Sequence, residues 1–291
     1  KADPTEAQNE SWQYYAARGG DGSIDGNYKS WHEFQSEAEK ELSRLLDAGH
    51  VRRLGSWDKA KAEYPKAMAT KIAVIVKEKP GGQMKVRFVV DMLRSGASGL
   101  VTIGERIVLP RGTDLVEGII DLFETAQQGA DVELMVVDVA DAFLNLRVAE
   151  SEKDFVIIQD GKGEYFVYEG VPFGLTSAPT LWGRVSAWMG RLSQAVAKPW
   201  ELRTQIYVDD PVLAACGNLQ ERSRTFGRTL LMWLACGARF SWTKAALGKK
   251  VCWIGANYEV ADHGVIASID DTRINKLRVR SEGILESNGM T

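Results

Sequence analysis

Three carboxylates in this 291-residue chain stand where a carboxylate is costly. Asp138 follows the apolar run Leu134-Met135-Val136-Val137. Asp209 and Asp210 end the run Gln205-Ile206-Tyr207-Val208, just before a second one, Val212-Leu213-Ala214. A charge at the end of an apolar strand has to be paired or bound to a cation. Plainer accounts remain open here, since an Asp pair between strands is ordinary turn chemistry and Asp138 can cap the turn that follows it. If the two strands are neighbours, all three acids share one rim of one sheet. At about 4 Å and an effective dielectric of about 20, two such charges repel by roughly 4 kcal/mol. A proton or a cation must relieve that repulsion. Hard divalent ions with oxygen ligands suit the task, above all Mg²⁺. A pair of them can activate a hydroxyl and stabilise a leaving pyrophosphate in an in-line displacement. Such phosphoryl transfer needs no His or Lys as general base.

A second group of residues is cationic. Ile72-Ala73-Val74-Ile75-Val76 and Val86-Arg87-Phe88-Val89-Val90 read as the strands of a hairpin around Lys79-Pro80-Gly81-Gly82-Gln83. Lys77 and Lys79 lie near its tip and Arg87 on its return strand, an arrangement suited to a polyphosphate. An edge hairpin kept soluble by lysines has the same composition. A third element is the turn Gly170-Val171-Pro172-Phe173-Gly174-Leu175-Thr176-Ser177-Ala178-Pro179. Its glycines let a ligand approach the backbone closely, although packing alone also demands such a turn. Ser177 is placed to cap the helix that follows, with Pro179 in its first turn.

The elements that must position these residues follow from apolar spacing. Helices are expected over 33–48, stopped by Gly49; from Thr113 or Asp114 to about Gln127, with Thr113 as cap; and over 219–236, ended by Gly237. Phe155–Ile158 and Tyr165–Tyr168 form one hairpin, and Tyr258–Val260 and Val265–Ala267 another, around His263-Gly264. Val251–Gly255 reads as a strand, and the last twenty residues begin a basic helix. Residues 52–70 are mixed and give no clear period. The class is α+β, with antiparallel hairpins and helices between them.

Composition is that of a globular chain, 45% hydrophobic and 26% charged. No apolar run is long enough to span a bilayer, so no membrane partner is expected. The chain begins at Lys1 without a signal-peptide pattern and reads as a piece of a longer polypeptide. Cys216, Cys236 and Cys252 lack the number and spacing of a disulfide framework or zinc site. His32, His50 and His263 are scattered and read as surface residues. A net charge of -3 argues mildly against nucleic acid, although a basic groove can coexist with acidic faces.

Taken together these residues resemble the reverse transcriptases, in particular those of long-terminal-repeat (gypsy-like) retroelements, over about residues 33–280. Val137-Asp138-Val139-Ala140-Asp141-Ala142-Phe143 looks like the family's first palm motif. The resemblance implies that Asp138 and the Val139 carbonyl bind metal and that Phe143 is a steric gate against a ribose 2′-hydroxyl. It also implies that Asp141 and Ala142 hold the triphosphate. The 170–179 turn resembles the second motif, with Phe173 and Gly174 against the incoming nucleotide, and Tyr207-Val208-Asp209-Asp210 the third. Arg87, four residues before Asp91, matches the triphosphate arginine. Lys77 and Lys79 are the candidates for the γ-phosphate. Lys244 resembles a late palm lysine proposed to donate a proton to pyrophosphate. Trp253-Ile254-Gly255 resembles the primer grip, which with Tyr207 would contact nucleic acid. The order of the motifs, with 71 residues from Asp138 to Asp209, makes the signal specific.

The implied fold is the right-hand polymerase fold: an antiparallel palm sheet with helices, a fingers subdomain and an incomplete thumb. The expected partition is a disordered polar lead-in over 1–30, fingers over 31–130, palm over 131–260 with a fingers insertion near 151–170, and a thumb root over 261–291. The implied activity is RNA-directed DNA synthesis with two Mg²⁺ ions, Mn²⁺ being a substitute. Asp138, Asp209 and Asp210 would be the catalytic and metal-binding acids. The implied partners are a primed RNA or DNA template, deoxynucleoside triphosphates, and RNase H and integrase regions of the same polyprotein. Location inside the cell, in a cytoplasmic particle or the nucleus, is open. A degenerate, inert relative that only binds nucleic acid is the alternative, and a metal-dependent nuclease would not need the gate or the fingers motif. One departure stands out: Pro211 occupies a position that the family fills with an apolar strand residue, and proline cannot donate a ladder hydrogen bond.

Overall fold

The computed structural model describes residues 22–78, 82, 84–126, 130–262 and 264–287. Lys79 and most of the expected turn around it, His263, Gln127 and the first 21 residues of the polar lead-in therefore lie outside the described residues. The helices are α1 (Lys29–Glu33), α2 (Gln35–Asp47), α3 (Trp57–Glu63), α4 (Gly112–Thr125), α5 (Ala178–Val196), α6 (Leu219–Ala235) and α7 (Asp271–Ser287). The strands are β1 (Val51–Gly55), β2 (Ala69–Thr70), β3 (Ile72–Glu78), β4 (Met84–Val90), β5 (Asp131–Val136), β6 (Ile157–Gln159), β7 (Tyr165–Tyr168), β8 (Leu202–Tyr207), β9 (Asp210–Gly217), β10 (Ala246–Gly248), β11 (Lys250–Trp253), β12 (Ala256–Ala261) and β13 (Gly264–Ser268). The chain divides into two compact units, residues 1–107 with 141–182, and residues 108–140 with 183–291.

The first unit holds a four-stranded sheet in the order β1-β7-β6-β2 and the separate hairpin β3–β4. Strand β2 runs parallel to β6, through Ala69↔Ile157 and Thr70↔Ile158. The mixed stretch 52–70 proves to be strand, helix and strand in quick succession, which is why no single period runs through it. Its apolar residues Leu54, Ala60, Tyr64 and Met68 are buried with Trp31, Leu42, Ile72, Phe88, Ile157 and Val167. Part of the stretch grouped with the polar lead-in belongs to this core. The Asn27 side chain donates to the Gln159 carbonyl at 2.7 Å and accepts the Ile72 amide at 2.9 Å, and Ile24 packs against the core. His50, expected at the surface, is only 5% exposed.

The second unit is built on an antiparallel sheet in the order β10-β5-β9-β8. Strand β9 is buried from Pro211 to Cys216, because it is a central strand and covered on both faces. Leu115, Ile119 and Leu122 recur along one face of α4 and pack with Val132, Leu134, Val212, Trp253 and Tyr258. The N-cap of α4 is Arg111 rather than Thr113, since the Asp114 carboxylate takes the Arg111 amide. Helix α6 begins on a fuller capping box: Asn218 Oδ1 accepts the Gln220 and Glu221 amides at 2.9 and 3.0 Å, and Glu221 accepts the Asn218 amide at 2.7 Å. Strands β11, β12 and β13 form a meander. Ile254 and Gly255, expected within a strand, make its first turn, with φ of 41° and 86°. Positive φ at both central positions is what a two-residue type I′ turn requires.

Candidate active site

The two strands that precede and follow the acids are neighbours. Strand β5 pairs with β9 up to Val136↔Val212, so the end of β5 and the start of β9 share a rim. Beyond the paired residues the chain continues to follow its neighbour. The Val137 amide donates to the Pro211 carbonyl at 3.2 Å and the Val139 amide to the Asp209 carbonyl at 2.9 Å. On its other side, the Asp138 carbonyl accepts the Ser241 amide at 2.8 Å and the Ala140 amide donates to the Arg239 carbonyl at 2.8 Å. Backbone bonds on both sides thus hold Asp138 in place. Its carboxylate is 16% exposed and accepts the Lys244 ammonium. Among the described residues, no three His, Cys, Asp or Glu side chains are grouped so as to hold a metal ion.

Asp209 and Asp210 have different structural positions. Only Val208 and Asp209 separate Tyr207 from its partner Asp210, so Asp209 is in the hairpin turn and Asp210 is the first residue of β9. Val208 carries the turn at φ 55°. A β-branched residue there is strained, since its branched Cβ crowds the backbone in that region. Pro211 is accommodated. It pairs with Ile206 across the hairpin and its carbonyl accepts Val137, so the bond lost is the reciprocal one that an amide at 211 would have supplied. The Trp253 indole N–H donates to the Asp210 carbonyl at 2.9 Å. Trp253 is 1% exposed and so anchors the hairpin. Any external contact from that segment falls to Ile254 and the backbone of the turn.

The first unit holds the candidates Lys77, Arg87, Phe143 and Phe173. In the β3–β4 register Lys77 faces Lys85 and Ile75 faces Arg87. Alternation along a strand puts Lys77, Lys85 and Arg87 on one face. Like charges directly opposite each other are unfavourable without an anion between them. The Arg87 guanidinium lies 5.7 Å from the Phe173 ring centroid. Phe173 in turn packs on Phe143, with centroids 5.1 Å apart and rings inclined at 58°. The Val90 amide donates to the Phe173 carbonyl at 2.9 Å. Gly174, at φ 113°, is so close that a Cβ would stand 2.0 Å from the Val90 carbonyl oxygen. The same holds for Gly170, where a Cβ would meet the Leu144 carbonyl at 2.1 Å. The glycines of this turn therefore satisfy backbone packing, whatever else they permit. Asp91, at the end of β4, accepts the Tyr28 hydroxyl. Burial pushes its carboxyl up, but hydrogen bonds from Tyr28 and from the Arg94 and Leu93 amides outweigh this and hold it below the usual range.

Asp141 and Ala142 make the bend before the short 3-10 turn Phe143–Asn145. Asp141 adopts φ 49°. Its carboxylate accepts Arg44 Nη1 at 2.8 Å and Nη2 at 3.2 Å, and His50 Nε2 is 3.7 Å away. Nothing in the sequence pointed to Arg44, which is 97 residues from Asp141 and sits among the ordinary charges of α2.

The family described as "Reverse transcriptase (RNA-dependent DNA polymerase)" matches residues 105–258, just over half of the chain. No curated protein sequence matches. Among solved structures, the foamy viral protease-reverse transcriptase in complex with dsDNA aligns at TM-score 0.60 and 15% identity, covering 88% of this chain and 44% of that one. The same protein in complex with an RNA/DNA hybrid aligns at TM-score 0.61 and 16% identity, covering 88% and 30%. A dRH form bound to dsDNA aligns at 0.57 and 17%, covering 81% and 36%. The chain thus spans less than half the length of these proteins. At such identities the likeness is one of fold, the right-hand polymerase fold.

Proposed function

Because the chain belongs to the reverse transcriptase (RNA-dependent DNA polymerase) family, we propose that it supplies the fingers and palm of an enzyme that extends a primer 3′-hydroxyl with deoxynucleotides on an RNA or DNA template. Structural neighbours bound to dsDNA and to an RNA/DNA hybrid support a primed template as partner. Within this reading the first unit corresponds to the fingers, the second to the palm, and residues 261–291 to the root of a thumb. The parent would be a long-terminal-repeat, gypsy-like retroelement whose polyprotein also carries RNase H and integrase regions. The observation that carries the reading is the bond from the Val139 amide to the Asp209 carbonyl, which joins two acid-bearing segments at one rim.

The donor set fits a hard divalent ion. Asp138, Asp209 and the Val139 carbonyl offer oxygen only, as Mg²⁺ prefers, and Asp138 already holds a positive charge in Lys244. Asp210, the first residue of β9 rather than part of the turn, is the auxiliary acid. Two Mg²⁺ ions, or Mn²⁺ in their place, would lower the pKa of the primer hydroxyl and neutralise charge on the phosphates. The chain's own residues do the rest. Lys77 and Arg87 receive the triphosphate of a deoxynucleoside triphosphate, with Lys79 in the same role, while the Asp141 and Ala142 backbone seats it. Phe143, braced by Phe173, excludes a 2′-hydroxyl, and Gly174 keeps the Phe173 turn against β4. Lys244, on leaving Asp138, delivers a proton to pyrophosphate. Tyr207, Ile254 and Gly255 face the nucleic acid, held by the buried Trp253.

Primer extension with Mg²⁺ or Mn²⁺ tests this, comparing the chain, a version extended at its C-terminus, and Asp209→Asn. Extension by the longer protein that is lost in Asp209→Asn is the expected result. No extension by the longer protein overturns the reading, and extension surviving Asp209→Asn overturns the site.

A further inference from the structure

Asp141 adopts the left-handed region, which costs a non-glycine residue roughly 1–3 kcal/mol and persists only where its surroundings hold it there. Its carboxylate is met by a fork. Arg44 Nη1 and Nη2 reach the two carboxylate oxygens of Asp141 at 2.8 and 3.2 Å. Arg44 is itself pinned along α2, with Nε and Nη2 donating to the Glu41 carboxylate at 2.8 Å each. Ion pairing to Glu41, against the effect of burial, pushes its guanidinium still further above the ordinary range, so it stays charged. The bend held in this way leads straight into Phe143: the Asp141 carbonyl accepts the Asn145 amide at 3.1 Å, and Ala142 is buried between them in sequence. A planar arginine that is already fixed loses little freedom on gripping a carboxylate, and a lysine cannot reproduce the fork.

We propose that Arg44 is a positioning residue for sugar selection. By gripping Asp141 through two parallel hydrogen bonds, it fixes the bend that sets Phe143 against Phe173. The aromatic pair supplies the bulk that rejects a 2′-hydroxyl, and Arg44 determines where that bulk stands. This inference rests on the polymerase reading above. A merely structural ion pair would change stability without changing the choice between sugars.

The test is single-nucleotide insertion by the C-terminally extended protein, with kcat and KM measured separately for a deoxy- and a ribonucleotide. Misplacement of a selecting group by about 1 Å costs on the order of 10- to 100-fold. Arg44→Ala and Asp141→Asn are each expected to lower deoxy-over-ribo discrimination on that scale, mainly through a gain with the ribonucleotide. The double variant should lose no more than either single one, because the two residues act as a unit. Arg44→Lys, which keeps the charge and loses the fork, should fall with Arg44→Ala. Arg44 and Asp141 side chains are both partly exposed, and thermal unfolding checks that each variant is folded. Unchanged discrimination in folded variants, additive losses, or full rescue by Arg44→Lys would each overturn the inference while leaving the polymerase reading intact. An inactive parent protein would instead remove the reading and the inference with it.

Discussion

Two hairpins in this chain are built on opposite plans. The β8–β9 hairpin lies within a four-stranded sheet, with β9 central and buried from Pro211 to Cys216. Its turn is as short as a hairpin allows and carries strain at Val208. The β3–β4 hairpin is a sheet of only two strands, and Ile75 and Met84 on its outer half are 43% and 46% exposed. An isolated two-stranded hairpin is marginal by itself. The first plan suits acids that must hold a fixed spacing, because a buried central strand cannot shift without breaking its ladder. The second suits cations that need only approach a ligand. The surrounding sheet gives the β8–β9 hairpin an order that the two-stranded hairpin cannot draw on.

Asp209→Asn should reduce primer extension to background, whereas Lys77→Ala should mainly raise KM for the nucleotide and spare kcat. A similar loss of kcat in both would mean that the two hairpins are equally committed to chemistry. Leu134→Ala, on β5 beside β9 in the buried sheet, should cost about 2–5 kcal/mol in urea unfolding of the chain. Ile75→Ala on the outer hairpin should stay within about 0.5 kcal/mol, as exposed substitutions do. Equal losses would refute the contrast in packing. Lys244→Met, which frees Asp138 of its ammonium partner, should tighten Mn²⁺ binding followed by electron paramagnetic resonance. Unchanged affinity would show that Lys244 does not compete for that carboxylate. Val208→Gly relieves the left-handed strain and should raise stability by about 1 kcal/mol, net of glycine's entropy. A loss of stability would mean that the valine side chain contributes more than the turn costs.

Much of the second unit was legible in the sequence because its signals are local. The runs that became β5, β8 and β9, and the apolar spacing of α6 with its Gly237 stop, can each be read within a dozen or two residues. The acids at strand ends were visible for the same reason, and the chain's resemblance to a known family supplied the other site candidates. What escaped depends on distant partners. Strand β1 finds its mate in β7, more than a hundred residues away, and β2 pairs in parallel with β6, which no turn signal announces. Arg44 looks like any surface charge on α2 until Asp141 arrives to meet it. His50 looks exposed until the fold buries it. The turn at Ile254-Gly255 was hidden because an isoleucine at positive φ contradicts its own preference for strands.

The close approach of Gly174 to the Val90 carbonyl also bears on how parts of this chain can be exchanged. The 170–179 turn and the base of β4 interlock backbone to backbone, with no side chain between them to absorb a mismatch. A chimera that imports the turn from a relative without its own β4 root would bring together two surfaces shaped for other partners. The smallest graft that can carry this turn intact is discontinuous: one piece around Val90, another around Gly174, moved together.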